Sequence, residues 1–244
     1  MRLNYSRTGA TGLMYDGQNL TDTFQIVDVS IPLLPKFEAV THDLAQHAGS
    51  YFARLKIGTR EIKVKLRLDA ETRDPMGIFQ AWREVSWMFV KGEPKRLQLN
   101  EEAYCNAMFV GETPITNEAY YGVVELGFLC FDPYFYGKEH EIALSNNATA
   151  TFGVKGSVSA YPKLDLTASS TTVTVTNVAT GDFVTIPGTR SGAKIAIDME
   201  RQRSTIGGEY APVDMLSDYF TIDGTAQIRL AGASGTLRYE ERYL

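Results

Sequence analysis

Apolar and polar residues alternate along two runs on either side of Gly58-Thr59. In the second run, apolar residues at even positions from Ile62 to Leu68 alternate with basic ones, a period of two that is typical of a half-exposed strand. The pattern predicts strands at 50–57 and 60–68, paired as an antiparallel hairpin. Four residues are predicted to form a basic outward face: Arg60, Lys63, Lys65 and Arg67. This face suits either solvent or an electrostatic contact with another protein.

A helical period marks residues 74–89 as the one predicted helix. Asp74 can cap it, Pro75 suits its first turn, and Gly92 suits its end. Apolar side chains recur at helical spacing, at Ile78, Trp82, Val85 and Phe89. Trp82 and Trp87 lie about half a turn apart on the helical wheel, at about 100° per residue. We therefore expect one to pack on a sheet and the other to serve a second surface.

A long alternating strand at 120–131 leads into an aromatic turn. Four of its residues are predicted to share one face: Val124, Leu126, Phe128 and Cys130. Asp132-Pro133 should stop the strand, because proline has no N–H to donate. Three aromatic residues are then expected to seal the end of the sheet: Tyr134, Phe135 and Tyr136. We expect a linker to begin after Gly137.

Past His140, short strand patterns follow one another between turn residues. Six of them stand at 162–169, 172–178, 182–188, 193–199, 226–232 and 236–243. So many strands in about 100 residues predict a β-sandwich. The fold class is therefore mainly β. We expect an α+β N-terminal domain with antiparallel sheets and one helix at 1–137, and a β-sandwich domain at 138–244.

Composition excludes several classes of function. The 244 residues carry a net charge of -5, which argues against direct nucleic-acid binding. No apolar run approaches the roughly 18 residues of a membrane span, and the N-terminus lacks a signal-peptide core, so neither membrane insertion nor export is predicted. Cys105 and Cys130 lie in strand patterns without metal-ligand spacing and are predicted to be buried free thiols.

No motif predicts a catalytic, cofactor or metal site. His42, His47 and His140 stand outside any HExxH, Cys/His or nucleophile-elbow pattern. Acidic pairs such as Glu101-Glu102 would serve glycoside hydrolysis only across a cleft, so a small glycosidase is the weakest hypothesis. Three sandwich tyrosines could stack on sugar rings, although packing roles are favoured: Tyr161, Tyr210 and Tyr219.

The order of the segments carries more information than any one of them. The stretches "ELGFLCFDPYFYG" at 125–137, "IAID" at 195–198 and "SDYFTI" at 217–222 follow the single helix in that order. The whole succession resembles the distal tail protein (Dit) family of long, non-contractile bacteriophage tails. The resemblance implies a hexameric ring of N-terminal domains and a peripheral, galectin-like C-terminal sandwich.

The resemblance also implies the partners. They are further copies of the chain, the tail tube protein, a tail-associated spike or lysin protein, and receptor-binding or other baseplate subunits. The chain would then be a structural, non-enzymatic hub of a phage or prophage tail tip, assembled in the host cytoplasm without a cofactor. Five residues are candidate oligomer or interdomain contacts: Trp82, Trp87, Tyr134, Phe135 and Tyr136. Residues 36–49 are expected to be a loop or belt that reaches a neighbour. The alternative is an adhesion or carbohydrate-binding module that uses the sandwich.

Overall fold

The computed structural model describes residues 12–22, 24–43, 48–68, 75–100, 102–111 and 123–244. The chain divides into two compact units between Phe135 and Tyr136. Within the described ranges it consists of antiparallel strands and one α-helix, which confirms the predicted mainly β class.

The first unit contains nine strands and the helix. In chain order these are β1 (Met14–Tyr15), β2 (Gln18–Asn19), β3 (Phe24–Ser30), β4 (Phe37–Asp43), β5 (Ser50–Ile57), β6 (Arg60–Leu68), α1 (Pro75–Val85), β7 (Lys95–Gln98), β8 (Tyr104–Phe109) and β9 (Val123–Cys130). Short 3-10 turns occupy Leu20–Asp22 and Ser86–Met88. Seven strands form one sheet in the order β3-β6-β9-β8-β7-β1-β2, while β4 and β5 form a separate two-stranded ribbon.

The core of this unit lies on the apolar face shared by β6 and β9. Ile62 pairs with Phe128, and Val64 pairs with Leu126, and all four side chains are buried. Period-two alternation places these residues on one face, so the predicted inward face of β9 is confirmed. The helix α1 ends earlier than predicted, since Ser86 opens a 3-10 turn and donates its hydroxyl to the Arg83 carbonyl. The predicted cap, Asp74, lies outside the described residues.

The predicted hairpin between 50–57 and 60–68 is wrong, although both strands have the predicted bounds. Strand β5 pairs with β4, whereas β6 pairs with β3 and β9. The Gly58 N–H donates to the Lys36 carbonyl at 2.7 Å, so this connection crosses another segment and does not close a turn. Residues 37–43, expected to be a loop or belt, form strand β4.

The predicted outward position of Arg60 is also wrong. Arg60 shares even parity with Ile62 and pairs across the sheet with Cys130, so its side chain enters the core and is only 1% exposed. Lys63 and Lys65 do lie outward, as predicted, and both approach the Glu125 carboxylate. Position in the period, rather than charge, decides which way the side chain points.

The second unit is a sandwich. Its strands are β10 (Phe135–Leu144), whose first residue belongs to the first unit, β11 (Ala148–Gly153), β12 (Lys163–Ala168), β13 (Thr172–Asn177), β14 (Phe183–Pro187), β15 (Lys194–Asp198), β16 (Arg203–Ile206), β17 (Glu209–Tyr210), β18 (Thr225–Ala231) and β19 (Ala233–Tyr243). The sheet β17-β16-β15-β12-β19-β10 and the sheet β11-β18-β13-β14 share one apolar core. All six predicted strands are present, and β11, β16 and β17 were not predicted.

The linker predicted after Gly137 is wrong, because strand β10 continues to Leu144. His140, Ile142 and Leu144 alternate toward the inside of the sandwich, and β10 lies beside β19 in the sheet. When only every second side chain of a strand enters a core, the other side chains are polar and the segment has a polar composition. The polar residues after Gly137 therefore resemble a linker, although they belong to strand β10.

Candidate assembly surface

The ribbon formed by β4 and β5 has one apolar face. Paired residues of an antiparallel ladder share a face, and Phe37 pairs with Ile57 while Ala39 pairs with Leu55. The opposite face carries Glu38 and other polar residues. The apolar side chains are 36–53% exposed in Phe37, Ile57 and Leu55, so this face is uncovered.

A register shift extends the apolar face toward the tip of the ribbon. Val40 pairs with Arg54, but the next residue, Thr41, pairs with Phe52, so Ala53 is an extra residue in β5. Without the shift, Phe52 would point to the polar face, because neighbouring residues of a strand alternate. The bulge turns this ring, which is 65% exposed, to the same side as Leu55.

A two-stranded ribbon is only marginally stable by itself in water. Within the part of the chain that the structure describes, β4 and β5 pair with each other and with no third strand. Their exposed face also has no core cluster packed against it. A ribbon of this kind gains stability when another surface covers it, which makes it a candidate assembly surface.

The base of the ribbon is anchored to the core. The Arg60 guanidinium donates from Nη1 to the Pro32 carbonyl at 2.6 Å and from Nε to the Pro133 carbonyl at 3.0 Å. Its charged carbon lies 4.4 Å from the centre of the Phe135 ring. Burial lowers the pKa of Arg60, but the guanidinium remains charged in proteins. One buried cation thus joins the ends of β3 and β9.

The two tryptophans lie in different environments. Trp82 is 8% exposed and stacks on Phe24 with ring centres 5.1 Å apart, whereas Trp87, in the 3-10 turn, is 58% exposed. Trp82 also lines an open apolar groove of about 360 Å³, together with Phe79 and Val90. Among the described residues, the buried indole N–H of Trp82 has no hydrogen-bond partner. Contacts of either tryptophan with a second copy stay a prediction.

The aromatic turn contributes packing within each unit. Phe135 lies under the Arg60 guanidinium and packs on the first core, and the backbone N–H of Tyr134 approaches the Asp132 carboxylate at 3.4 Å. The Tyr136 ring lies 6.0 Å from the charged carbon of Arg242. These positions are compatible with packing roles, and interface roles for the three aromatic residues stay predictions.

The second unit has its own polar cluster, where β10 lies beside β19. His140 Nε2 lies 2.6 Å from Glu241 Oε1, and the Tyr243 hydroxyl donates to Glu241 Oε2 at 2.6 Å. The hydrogen bond from Tyr243, followed by that from His140, lowers the pKa of Glu241. Sequence reasoning missed this cluster. The spacing of Glu241 and Tyr243 places them on one side of a strand, but the distant His140 gave no signal.

The tyrosines considered as sugar platforms are mostly packed. Tyr161 and Tyr219 lie against the sandwich core, and Tyr161 also lies 4.9 Å from the charged carbon of Arg242. Tyr210 is 67% exposed. Only Tyr210 therefore presents a largely open ring.

Two observations bear on other classes of protein. In the described ranges, no group of three or more His, Cys, Asp and Glu side chains could hold a metal ion. None of the described helices combines the length and the apolar character needed to cross a bilayer. Cys105 and Cys130 are buried free thiols, as predicted.

A solved phage protein shares this arrangement of an antiparallel unit followed by a two-sheet sandwich. Residues 155–243 match the family described as siphovirus-type tail component, C-terminal domain. The solved SPP1 Dit protein, described as a paradigm of the hub adsorption apparatus in phages that infect Gram-positive bacteria, has a TM-score of 0.81 at 16% identity, covering 96% of this chain and 99% of that chain. The resemblance to the distal tail protein family is thus confirmed.

A second solved structure is more distant. A chain of the phage p2 baseplate in its activated conformation with Sr has a TM-score of 0.51 at 11% identity, over 91% of this chain and 92% of that chain. No curated protein sequence matches the chain.

Proposed function

We propose that this chain is a structural hub protein of a phage or prophage tail tip, which acts by assembly rather than by catalysis. Its copies close into a homohexameric ring that joins the tail tube to a spike or lysin protein and to receptor-binding components. The fold of the solved hub protein supports this proposal, as does the family match over 155–243. The single observation that carries it is the uncovered apolar face of the β4–β5 ribbon.

The proposal assigns different roles to the two parts of the chain. Residues 1–137 form the ring, because the ribbon, the exposed Trp87 and the groove beside α1 all belong to the first unit. Residues 138–244 form a peripheral galectin-like sandwich. The ribbon covers a different patch on the next copy, a heterologous contact that a six-fold rotation can close.

Light scattering across a wide concentration range, with negative-stain images of the same samples, tests the ring. We expect particles of about six times the 27.1 kDa chain mass and ring-shaped images. A chain that stays monomeric at every concentration, and forms no ring when the tail partners are co-expressed, contradicts the proposal.

Paired variants test the role of the ribbon. Phe52→Ser with Leu55→Ser removes apolar side chains from the uncovered face, so we expect the assembled mass to be lost. Arg54→Ser with Lys56→Ser changes two residues on the opposite face of the same strand and should leave assembly intact. Circular dichroism melting of both variants checks that the unit still folds. Equal assembly by the two variants would show that the ribbon is not the interface.

A further inference from the structure

Two thiols meet in the core of the first unit. The sulfur atoms of Cys105 and Cys130 are 3.5 Å apart, and neither residue is exposed to solvent. They belong to the neighbouring strands β8 and β9, whose register pairs Met108 with Leu129. Continuing that register places Cys130 opposite Ala107, so Cys105 lies two positions along the same face.

A buried cation lies beside this pair. Arg60 is the cross-strand partner of Cys130, and its guanidinium is hydrogen-bonded to backbone carbonyls rather than to a carboxylate. A thiolate is the reactive form of cysteine, and a nearby positive charge favours it. The hydrogen bond with the Cys105 thiol, and then the Arg60 charge, lowers the pKa of Cys130, while burial and Asp132 act in the opposite direction. The pKa of Cys105 is raised, first by its hydrogen bond with Cys130 and then by burial.

We propose that Cys105 and Cys130 form an oxidation site that a peroxide converts into an intramolecular disulfide. The Cys130 thiolate attacks one peroxide oxygen, the O–O bond breaks, and Cys130 becomes a sulfenic acid with release of one water after protonation. The Cys105 sulfur then attacks the Cys130 sulfur, the S–O bond breaks, and a second water leaves. Two thiols are oxidised by two electrons in total, and hydrogen peroxide is reduced to two waters.

The reaction requires a small oxidant and a local shift of β8 against β9, because diagonal cross-strand positions are about 7–8 Å apart and a disulfide usually joins Cα atoms about 4.4–6.8 Å apart. Both sulfur atoms are buried in the core, so only a small oxidant such as a peroxide is expected to reach them. The sulfurs must approach from 3.5 Å to about 2.05 Å, the length of the covalent bond. The resulting cross-link would tie β8 to β9 independently of their hydrogen bonds. This inference does not depend on the proposed hub function.

Thiol counting on the full chain tests the site. The folded protein is treated with hydrogen peroxide, the peroxide is removed with catalase, and the chain is unfolded and alkylated with N-ethylmaleimide before its intact mass is measured. We expect both thiols to become unreactive together, in a monomeric chain two hydrogen atoms lighter, and dithiothreitol to restore them. The oxidised protein should also melt at a higher temperature, since the cross-link restricts the unfolded chain.

Two variants identify the chemistry, and an unfolded control identifies the role of the fold. Cys105→Ala should stop at a Cys130 sulfenic acid that dimedone traps, and Cys130→Ala should oxidise more slowly. The proposal is overturned if the folded wild-type chain keeps both thiols alkylatable, or forms only sulfinic acid or a disulfide between two chains. Formation of the disulfide only in the urea-unfolded chain overturns it equally. If a variant fails to fold, thiol counting on the folded wild-type chain still tests whether the disulfide forms.

Discussion

Arg60 Nη1 donates a hydrogen bond to the Pro32 carbonyl at 2.6 Å, and this bond holds the chain where it leaves β3 for the ribbon. The same guanidinium bonds the Pro133 carbonyl and lies over the Phe135 ring. A buried planar cation can hold several carbonyls at once because its donors point in fixed directions. The ribbon is thus fixed at its base while its apolar face stays open.

Arg60→Lys should lower the free energy of unfolding by about 1–3 kcal/mol, because an ammonium cannot reproduce the two directed charge-assisted bonds. Urea denaturation followed by circular dichroism measures the change. Arg54→Lys, on the polar face of the ribbon, is the matched control and should change the free energy by less than about 0.5 kcal/mol. Equal effects in the two variants would mean that the buried guanidinium adds nothing to stability.

The two tryptophans should respond differently to truncation. Trp82→Ala should cost about 3–5 kcal/mol of unfolding free energy, since it removes a buried ring that stacks on Phe24. Trp87→Ala should cost less than about 1 kcal/mol, because that ring is largely exposed. Denaturant unfolding of each variant, below the concentration of assembly, gives the comparison. A large loss in Trp87→Ala would show that this ring has a structural role in the single chain.

The Glu241 cluster should make stability depend on acid. Since the folded-state pKa of Glu241 lies below its ordinary value of 4.5, its contribution is fully present above that pH and is lost as the pH falls through the lowered value. Tyr243→Phe removes the larger cause while keeping the ring, and Glu241→Gln removes the titration. Urea unfolding at a series of pH values should show a shallower acid loss in both. An unchanged acid slope in both variants would exclude this carboxylate as a source of the dependence.

Gly235→Ala should destabilise the sandwich. A Cβ at this position would collide with the Asp165 carbonyl oxygen and would lie 2.8 Å from the Leu166 Cα, so β19 and β12 must separate. The expected cost is about 1–3 kcal/mol. Gly153→Ala, where the added atom meets open space, should stay within about 0.5 kcal/mol. Thermal melting distinguishes the two.

The same variant tests the proposed division of roles in the full chain. Ring mass by light scattering should be unchanged in Gly235→Ala, because the ribbon belongs to the first unit. Loss of the ring in Gly235→Ala, with retention in Gly153→Ala, would assign assembly to the sandwich as well.

Local sequence patterns predicted where the strands lie better than which strands pair with each other. The bounds of β5 and β6, the inward face of β9 and the six sandwich strands follow from alternation and turn residues, which act over a few positions. The pairing of β5 with β4 does not follow, since a two-residue connection suits a hairpin as well as a crossing. The choice between a hairpin and a crossing connection depends on contacts between residues that are distant in the sequence.

The candidate surface was harder to predict, for two physical reasons. Arg60 was assigned to the outside by its charge, although its even parity with Ile62 indicated the core. The bulge at Ala53 was invisible, because alternation along β5 alone puts Phe52 on the polar side. Only the opposite strand reveals the shift, through the pairing of Thr41 with Phe52.

The open ribbon also limits how the chain can be handled before it assembles. Among the described residues, the outer edges of β4 and β5 pair with no further strand, and such edges beside an apolar face can recruit more strands and lead to fibres and precipitates. Glu38, Arg54 and Lys56 keep one side charged and oppose such stacking. After synthesis, closed assembly of the chain therefore competes with open-ended aggregation. Slow expression and low salt, which leaves these charges unscreened, should favour the closed product.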